Sequence, residues 1–198
     1  MRFRLMIAAA LLGLTAMPCV SQGLTVTEAE GGSMKVDLGY NIVLNDASSL
    51  KRRWFTIHDS SMPASLQGTT GANARYRRER TVGEYVLDAS HSVVARDAVA
   101  AYEIRYLTFD VFGSPMQTLS TVAVRDIAAG AMFNDTSTWR LYSEADATAF
   151  HTSIAFLAFV RTADGSISSA NFDAVLAEAR KINSKLTASD LEPKPAKD

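Results

Sequence analysis

The sequence predicts a mainly β protein, folded as an antiparallel β-sandwich that ends in an amphipathic α-helix. Short segments rich in aromatic and β-branched residues, such as Arg53–His58, recur between turn-forming residues, which is typical of sandwiches. Near the C-terminus the apolar residues change to helical spacing, at Phe172, Leu176 and Ala179. Strands and helices do not alternate along the chain, so a doubly wound parallel sheet is not expected.

The first 21 residues have the pattern of a secretory signal peptide. Two arginines precede an uncharged stretch, residues 5–17, which is too short to span a bilayer as a helix. Small side chains follow Pro18, and we place cleavage before Gln22. The alternative is a lipoprotein acylated on Cys19, but Pro18 stands where a lipobox requires a small residue. We therefore expect an exported protein, either periplasmic or secreted.

Cleavage at that position would leave residues 22–198 as the mature chain. Cys19 is the single cysteine of the sequence, so the mature chain has no disulfide, no thiol chemistry and no Cys-ligated zinc. The net charge of −1 falls to about −3 without the two leader arginines, which gives no general attraction to nucleic acid. The longest later apolar run, residues 154–160, is too short for a transmembrane helix.

In the N-terminal half, alternation of apolar and polar residues predicts strands at residues 24–27, 36–44, 53–58, 81–88 and 91–95. A flexible loop is expected at residues 67–72, which contain two glycines. The strands at 81–88 and 91–95 are expected to be separate, joined by a tight link at Ala89-Ser90.

In the C-terminal half, the same pattern predicts strands at residues 99–112, 116–124, 137–142 and 150–160. The first of these changes its apolar face midway, which indicates a bulge or a strand that passes between two environments. A short helical turn is expected at residues 144–147. Ser168 or Ser169 is expected to cap the final helix.

These elements divide the chain into four parts: a signal peptide at residues 1–21, the β-sandwich at 22–167, the C-terminal helix at 168–188 and a tail at 189–198. The tail is polar and punctuated by proline, so it is expected to be disordered. The length after cleavage suits one domain with an appended helix.

Within residues 99–142, a hydrophobic strand ends in the aromatic–acid pair Phe109-Asp110, and Gly113 follows in a turn. Residues 127–130 then form an apolar-x-x-Gly loop, with alanine where a proline is common. This segment resembles the FxLYD-type bacterial β-sandwich domains. The resemblance implies an immunoglobulin-like sandwich outside the cytoplasm, and it implies no particular reaction.

Two basic stretches, residues 51–53 and 75–80, are the best candidates for ligand contact. The predicted ligand-binding residues are Arg75, Arg77, Arg78 and Arg80. Such a patch can bind the phosphates of an anionic envelope glycolipid. The alternative is a solvated loop and strand edge, where charges prevent edge-to-edge pairing.

Residues 58–61, His-Asp-Ser-Ser, contain the residue types of a hydrolytic triad. Neighbouring strand residues point to opposite faces, and no Gly-x-Ser-x-Gly elbow is present, so an Asx-type turn is expected instead. His58, His91 and His151 lack the spacing of a metal site, and the last two are expected on half-exposed strands. No catalytic residue, metal ligand or cofactor is assigned.

The sequence thus predicts a non-enzymatic envelope module that binds or assembles with another molecule through a sheet edge or the basic patch. The expected partner is an envelope protein or an anionic glycolipid, and nucleic acid is not expected. The alternative is a periplasmic hydrolase with a site centred on His58. A structural accessory subunit is a third possibility.

Overall fold

The computed structural model describes residues 23–30, 34–37, 41–44, 51–79, 82–141 and 144–193. The predicted signal peptide and its cleavage site lie outside these residues. Strands make up 60% of the structure and helices 14%, which confirms the predicted mainly β class. None of the helices in the described ranges is both long enough and apolar enough to cross a membrane.

The described residues form twelve strands: β1 Thr25–Glu30, β2 Met34–Asp37, β3 Asn41–Leu44, β4 Arg53–His58, β5 Ala64–Leu66, β6 Gly71–Glu79, β7 Val82–Ala95, β8 Val99–Asp110, β9 Pro115–Ile127, β10 Met132–Leu141, β11 Phe150–Thr162 and β12 Ile167–Ser169. They also form two α-helices and one 3₁₀ helix: α1 Glu144–Ala149, α2 Phe172–Ile182 and the 3₁₀ helix Ala188–Leu191.

The strands build two sheets of six strands each in the described part of the chain. Sheet A has the order β1-β4-β11-β8-β9, with β12 beside β11. Sheet B has the order β10-β7-β6-β2-β3, with β5 beside β7. Pairing is antiparallel except between β4 and β11 and between β2 and β6. The predicted sandwich with a C-terminal helix is therefore confirmed, and each sheet includes one parallel pairing.

The main core lies between the two sheets. Tyr102, Ile104 and Tyr106 of β8 lie in it together with Leu87 and Ala89 of β7. All five residues are almost completely removed from solvent. Because strand residues alternate between faces, these positions share one side of each strand.

A second core lies on the other face of sheet A, where α2 packs on the sheet. Val175, Leu176 and Ala179 of the helix are buried with Leu107 and Phe156 of the sheet. β8 therefore contributes to both cores, which explains why its apolar residues change face along the strand. The result is three layers: sheet B, sheet A and the helix.

The cap of α2 differs from the prediction. Asn171 precedes the helix, and its side-chain oxygen accepts a hydrogen bond from the backbone N–H of Ala174 at 3.1 Å. Ser168 and Ser169 lie in β12 instead, where they pair with β11. The prediction of a serine cap is wrong because Ser168 and Ser169 pair with β11 as part of sheet A, so the helix begins only after them.

The segment that follows α2 is also part of the fold. Leu191 is buried in the outer core, and its carbonyl accepts a hydrogen bond from Arg105 Nη1 at 3.0 Å. The Thr118 hydroxyl donates to the carbonyl of Asp190 at 2.5 Å. The predicted disordered tail therefore does not begin at residue 189, while residues 194–198 lie outside the described residues.

The predicted division of residues 81–95 into two strands is wrong. β7 is a single strand of 14 residues, and the expected link at Ala89-Ser90 does not exist. Ala89 pairs with Ser137 and Ser90 with Thr136, both on β10. The small residues Ala89 and Ser90 resemble a turn in the sequence. In the structure Ala89 packs between the two sheets, where there is room only for a small side chain.

Candidate functional site

Three of the four predicted ligand-binding arginines, Arg75, Arg77 and Arg78, belong to β6, and the first two of them form ion pairs. Arg75 Nη2 lies 2.6 Å from Asp88 Oδ2, and the Arg77 guanidinium pairs with the Glu84 carboxylate. Both acids lie on the neighbouring strand β7. Arg78 also belongs to β6, and the remaining candidate, residue 80, lies outside the described residues.

The other basic stretch, residues 51–53, has two exposed residues, Lys51 and Arg53, and one buried residue, Arg52. Lys51 Nζ lies 2.9 Å from Glu30 Oε1, and Arg53 Nε lies 2.8 Å from Glu28 Oε1. These exposed pairs connect β4 and its approach to β1, the edge strand of sheet A. They fit the expected solvated strand edge, and exposed pairs of this kind contribute little to stability.

Arg52 is different, because it is buried with 4% of its surface exposed. Its Nε donates to the carbonyl of Phe150 at 3.0 Å, and its Nη2 donates to the carbonyl of Ala147 at 3.1 Å. Its Nη1 donates to Asn73 Oδ1 at 3.2 Å. The expectation that this arginine is solvated is therefore wrong, since it attaches α1 to the start of β11.

His58 forms no triad with its sequence neighbours in the structure. Its Nε2 is 2.9 Å from the Thr27 hydroxyl, and burial lowers its pKa more than a backbone hydrogen bond at Leu66 raises it. Asp59 Oδ1 accepts hydrogen bonds from the backbone N–H and the hydroxyl of Ser61, at 2.8 and 2.5 Å. The acid therefore stabilises a local turn.

His91 is the histidine placed at the centre of the molecule. It is only 3% exposed, so the expected half-exposed position is wrong. Its Nε2 is 3.0 Å from the Tyr102 hydroxyl and its Nδ1 is 3.3 Å from the Tyr106 hydroxyl. A neutral imidazole has one donor and one acceptor nitrogen, so it can satisfy both tyrosines at once.

The protonation of this group follows from its burial. Burial lowers the pKa of His91 more than nearby Asp135 raises it. Burial, with a smaller effect of Asp135, raises the pKa of Tyr102 to about 12, and burial raises the pKa of Tyr106 further. At neutral pH the three side chains are therefore uncharged, as a buried hydrogen-bonded group requires.

A cleft of about 410 Å³ opens beside this group. It lies where β7 and β10 meet the segment between β5 and β6. Its lining consists of Gln67, Thr69, Thr70, Ser90, His91, Ser92, Asn134, Asp135 and Thr136. All of these residues are of polar types, and most of them carry a hydroxyl or an amide, which can both donate and accept hydrogen bonds.

The cleft continues along the outer surface of sheet B as a ladder of polar pairs. Three rungs connect β7 with β10: Ser92 with Asn134, Ser90 with Thr136, and Asp88 with Thr138. Their side-chain hydrogen bonds measure 2.5, 3.2 and 2.7 Å. We call this surface, together with the cleft, the polar face.

Beyond the third rung the polar face becomes charged. Arg75 pairs with Asp88, and Glu84 lies between Arg77 and Arg140, with Arg140 Nε 3.9 Å from the Glu84 carboxylate. Three arginines thus surround two acids. From residue 84 to residue 92 the face extends for about 26 Å at the rise of a β-strand.

Sequence reasoning missed the polar face, although the signal is visible. Polar residues recur at every second position, at 88, 90 and 92 and again at 134, 136 and 138. The link predicted at Ala89-Ser90 interrupts the alternation at residues 88–92. The strand that contains residues 134, 136 and 138 is predicted to begin only at residue 137, so its first two polar positions fall outside it. Among the residues that the structure describes, no group of three His, Cys, Asp or Glu side chains is placed to hold a metal ion.

No protein-family model and no curated protein sequence matches this chain. A solved structure of a hypothetical protein from Peptoclostridium difficile 630 is similar over 61% of this chain and 92% of that chain. The sequence identity is 10% and the TM-score is 0.44. The function is therefore inferred from the chemistry of the polar face.

Proposed function

We propose that the protein is an exported, non-enzymatic binding module whose polar face holds an extended glycan that carries anionic groups. The observation that carries this proposal is the cleft of about 410 Å³, whose lining residues are all of polar types. Most small-molecule sites are lined mainly by apolar side chains. A lining of hydroxyls and amides favours a ligand that itself presents many hydroxyls.

The shape and charge of the rest of the face support an extended ligand. The ladder of rungs leads from the uncharged cleft to Arg75, Arg77 and Arg140. A guanidinium has five N–H donors, so an arginine that pairs with one carboxylate can still bind an anion on the ligand. The acids at 84 and 88 hold these arginines in position.

Two sequence features support a role outside the cytoplasm. Residues 1–21 have the pattern of a signal peptide. Residues 99–142 resemble FxLYD-type domains, which are immunoglobulin-like sandwiches of extracytoplasmic proteins. An envelope glycan or the head group of an envelope glycolipid presents both hydroxyls and anionic groups, so it matches both ends of the polar face.

The geometry favours binding over the hydrolase alternative. His91 lines the cleft, but each of its ring nitrogens is within hydrogen-bond distance of a tyrosine hydroxyl. A general base needs a nitrogen that can accept a proton from the nucleophile. His58 Nε2 lies beside the hydroxyl of Thr27, an exposed threonine on β1, rather than between a carboxylate and a serine as a triad requires.

The test is a binding titration of the purified protein with glycans that differ only in charge: neutral, carboxylated and phosphorylated forms of one oligosaccharide. Thr136→Val removes a cleft hydroxyl with little change of shape, and we expect about tenfold weaker binding of every form. Arg75→Gln with Arg77→Gln should weaken only the anionic forms. The control is Arg161→Gln, an exposed arginine on sheet A.

Three outcomes would count against the proposal: no glycan binds, the Thr136 variant binds normally, or the Arg161 control weakens binding equally. Presentation of the same glycan free and on lipid vesicles separates a soluble polymer from a glycolipid head group. Turnover of an ester, peptide or glycan by the protein would support the hydrolase instead.

A further inference from the structure

An apolar groove of about 360 Å³ lies on the outer face of sheet A, beside the area on which α2 packs. Phe159 of β11, Val122 of β9 and Ile167 of β12 line it, together with Ala101 and Glu103 of β8. Val122 and Ile167 are 64% and 67% exposed. An exposed apolar patch on a soluble protein commonly marks an interaction surface.

The floor of this groove follows the residues of β8 that face outwards. Glu103 pairs with Phe159 and Val122, which forms one row across the sheet, and Ala101 belongs to the next row. Arg105 belongs to the row on the other side of Glu103, because alternate residues of a strand share a face. The groove therefore begins where the row of Arg105 ends.

The segment that follows α2 runs along this face towards the groove. The carbonyl of Asp190 accepts the hydrogen bond of the Thr118 hydroxyl, one row before Arg105. Arg105 Nη1 then donates to the carbonyl of Leu191 at 3.0 Å and lies 2.8 Å from Glu192 Oε2. Each step along the chain thus brings it closer to the groove.

Arg105 lies at the mouth of the groove. Its guanidinium carbon is 5.3 Å from the centre of the Phe159 ring, and Phe159 is a lining residue. Its Nε lies 2.8 Å from Oε1 of Glu103, another lining residue. Glu192 is therefore held at the mouth, and the half-buried Pro193 that follows is the last described residue.

We propose that residues 193–196 of this chain, Pro-Lys-Pro-Ala, dock in the groove as an extended segment. The length fits, because the rows of Glu103 and Ala101 are about 7 Å apart along β8 and two extended residues span that distance. The segment covers apolar side chains that would otherwise remain in contact with water.

The two prolines suit an apolar groove. A proline has no N–H, so Pro193 and Pro195 bring no backbone donor that would lose its water on docking. Proline also fixes its own φ and restricts the preceding residue to extended conformations, so the segment loses little conformational freedom. Extended proline-rich segments dock in aromatic-lined grooves, and here Phe159 and Tyr102 are the aromatic lining residues.

Charge and attachment favour this segment over a separate peptide. The carboxylates of Glu103 and Glu192 share the single guanidinium of Arg105, which leaves one negative charge in excess. Lys194, two residues after Glu192, supplies the compensating positive charge. A segment attached at the mouth of its own site also has an effective concentration of about millimolar, which a free peptide would have to exceed.

The test is NMR relaxation of the backbone N–H groups of Lys194 and Ala196 in the purified protein. Docking should give order parameters of about 0.85, as for rigid backbone, whereas values below about 0.6 would overturn the proposal. Nuclear Overhauser contacts should also join Pro195 to the methyl groups of Val122 and Ile167.

Two variants of the segment make the test specific. Pro195→Gly adds an N–H and frees the backbone, and Lys194→Glu places a third carboxylate beside Arg105. Each should lower the order parameter of Ala196 below about 0.6 and abolish the contacts to the groove. Lys185→Glu is the matched control, because it reverses the charge of an exposed lysine outside the groove and should change neither.

Val122→Lys tests the same contact from the wall of the groove, at a position exposed enough to leave folding intact. It should free the segment as the two segment variants do. A rigid segment that none of the three variants releases would contradict the proposal. Contacts seen only between labelled and unlabelled molecules in a mixed sample would also overturn it, because the occupant would then be another chain. The polar face lies on the other sheet, so glycan binding is measured separately.

Discussion

His91 lies between the core, where its side chain is buried, and the cleft of the polar face. Its imidazole satisfies two tyrosine hydroxyls that would otherwise be buried without partners, and it also lines the cleft. An unsatisfied buried polar group costs about 1–3 kcal/mol. The histidine therefore has a structural role that does not depend on any ligand.

A pH dependence follows from the lowered pKa of His91. The unfolded chain binds this proton at the ordinary pKa of about 6.5, whereas the folded protein binds it only at lower pH. The stability that this group contributes is present above pH 6.5 and is lost as the pH falls towards its folded pKa. His58 and His151 are shifted in the same direction by burial.

Urea unfolding at about pH 7.5 and pH 5.5 tests this prediction, because the two values bracket the ordinary histidine pKa. The wild-type free energy of unfolding should decrease between the two, and His91→Gln should reduce that difference even though it lowers stability at both values. An equal difference in both proteins would show that His91 does not contribute. Because each protein is compared with itself at the two pH values, any loss of stability that the substitution causes at both values cancels.

Arg52 marks the limit of sequence reasoning at this scale. It stands between Lys51 and Arg53, and all three are basic. Its acceptors at Ala147 and Phe150 are nearly 100 residues away in the chain. Nothing in its local sequence indicates these partners, so its burial could not be predicted.

At the scale of elements, α2 was predictable because helical spacing is a local pattern. Val175, Leu176 and Ala179, three of its periodic apolar positions, are buried against sheet A. Strand limits were less predictable, since pairing with a distant strand decides where a strand ends. The unbroken course of β7 through Ala89 and Ser90 is fixed by β10, whose paired residues lie more than 40 positions later.

The cap of α2 gives a test with a matched control. Asn171→Ala removes the side-chain acceptor for the N–H of Ala174 and should lower stability by about 1 kcal/mol. Ser169→Ala, at the residue expected from sequence to cap the helix, should change stability by less than about 0.5 kcal/mol. Urea unfolding measures both, and equal effects would contradict the assigned cap.

At the scale of the whole molecule, the fold class could be predicted from periodicity, whereas the layer order and the polar face could not. The pairing of β4 with β11 joins residues 53–57 to residues 152–156. No local signal specifies which of several apolar strands becomes the centre of sheet A. The polar face depends on the same kind of information, because its rungs join β7 to β10.

The position of β11 also has a consequence for the order of folding. β11 separates β4 from β8 in sheet A, yet it is the last long strand to be synthesised. Folding dominated by such distant pairings takes milliseconds to seconds. Stopped-flow refolding from urea should therefore show relaxation on that scale, and microsecond folding would contradict it.

A nascent chain that has not reached residue 150 has no strand to place between β4 and β8. Its apolar residues for the outer core, such as Phe55 and Leu107, then lack both β11 and α2. Such a chain remains without a stable sheet A until translation is nearly complete. That delay keeps the polypeptide unfolded for most of its synthesis, and the export proposed above would require that form of the chain.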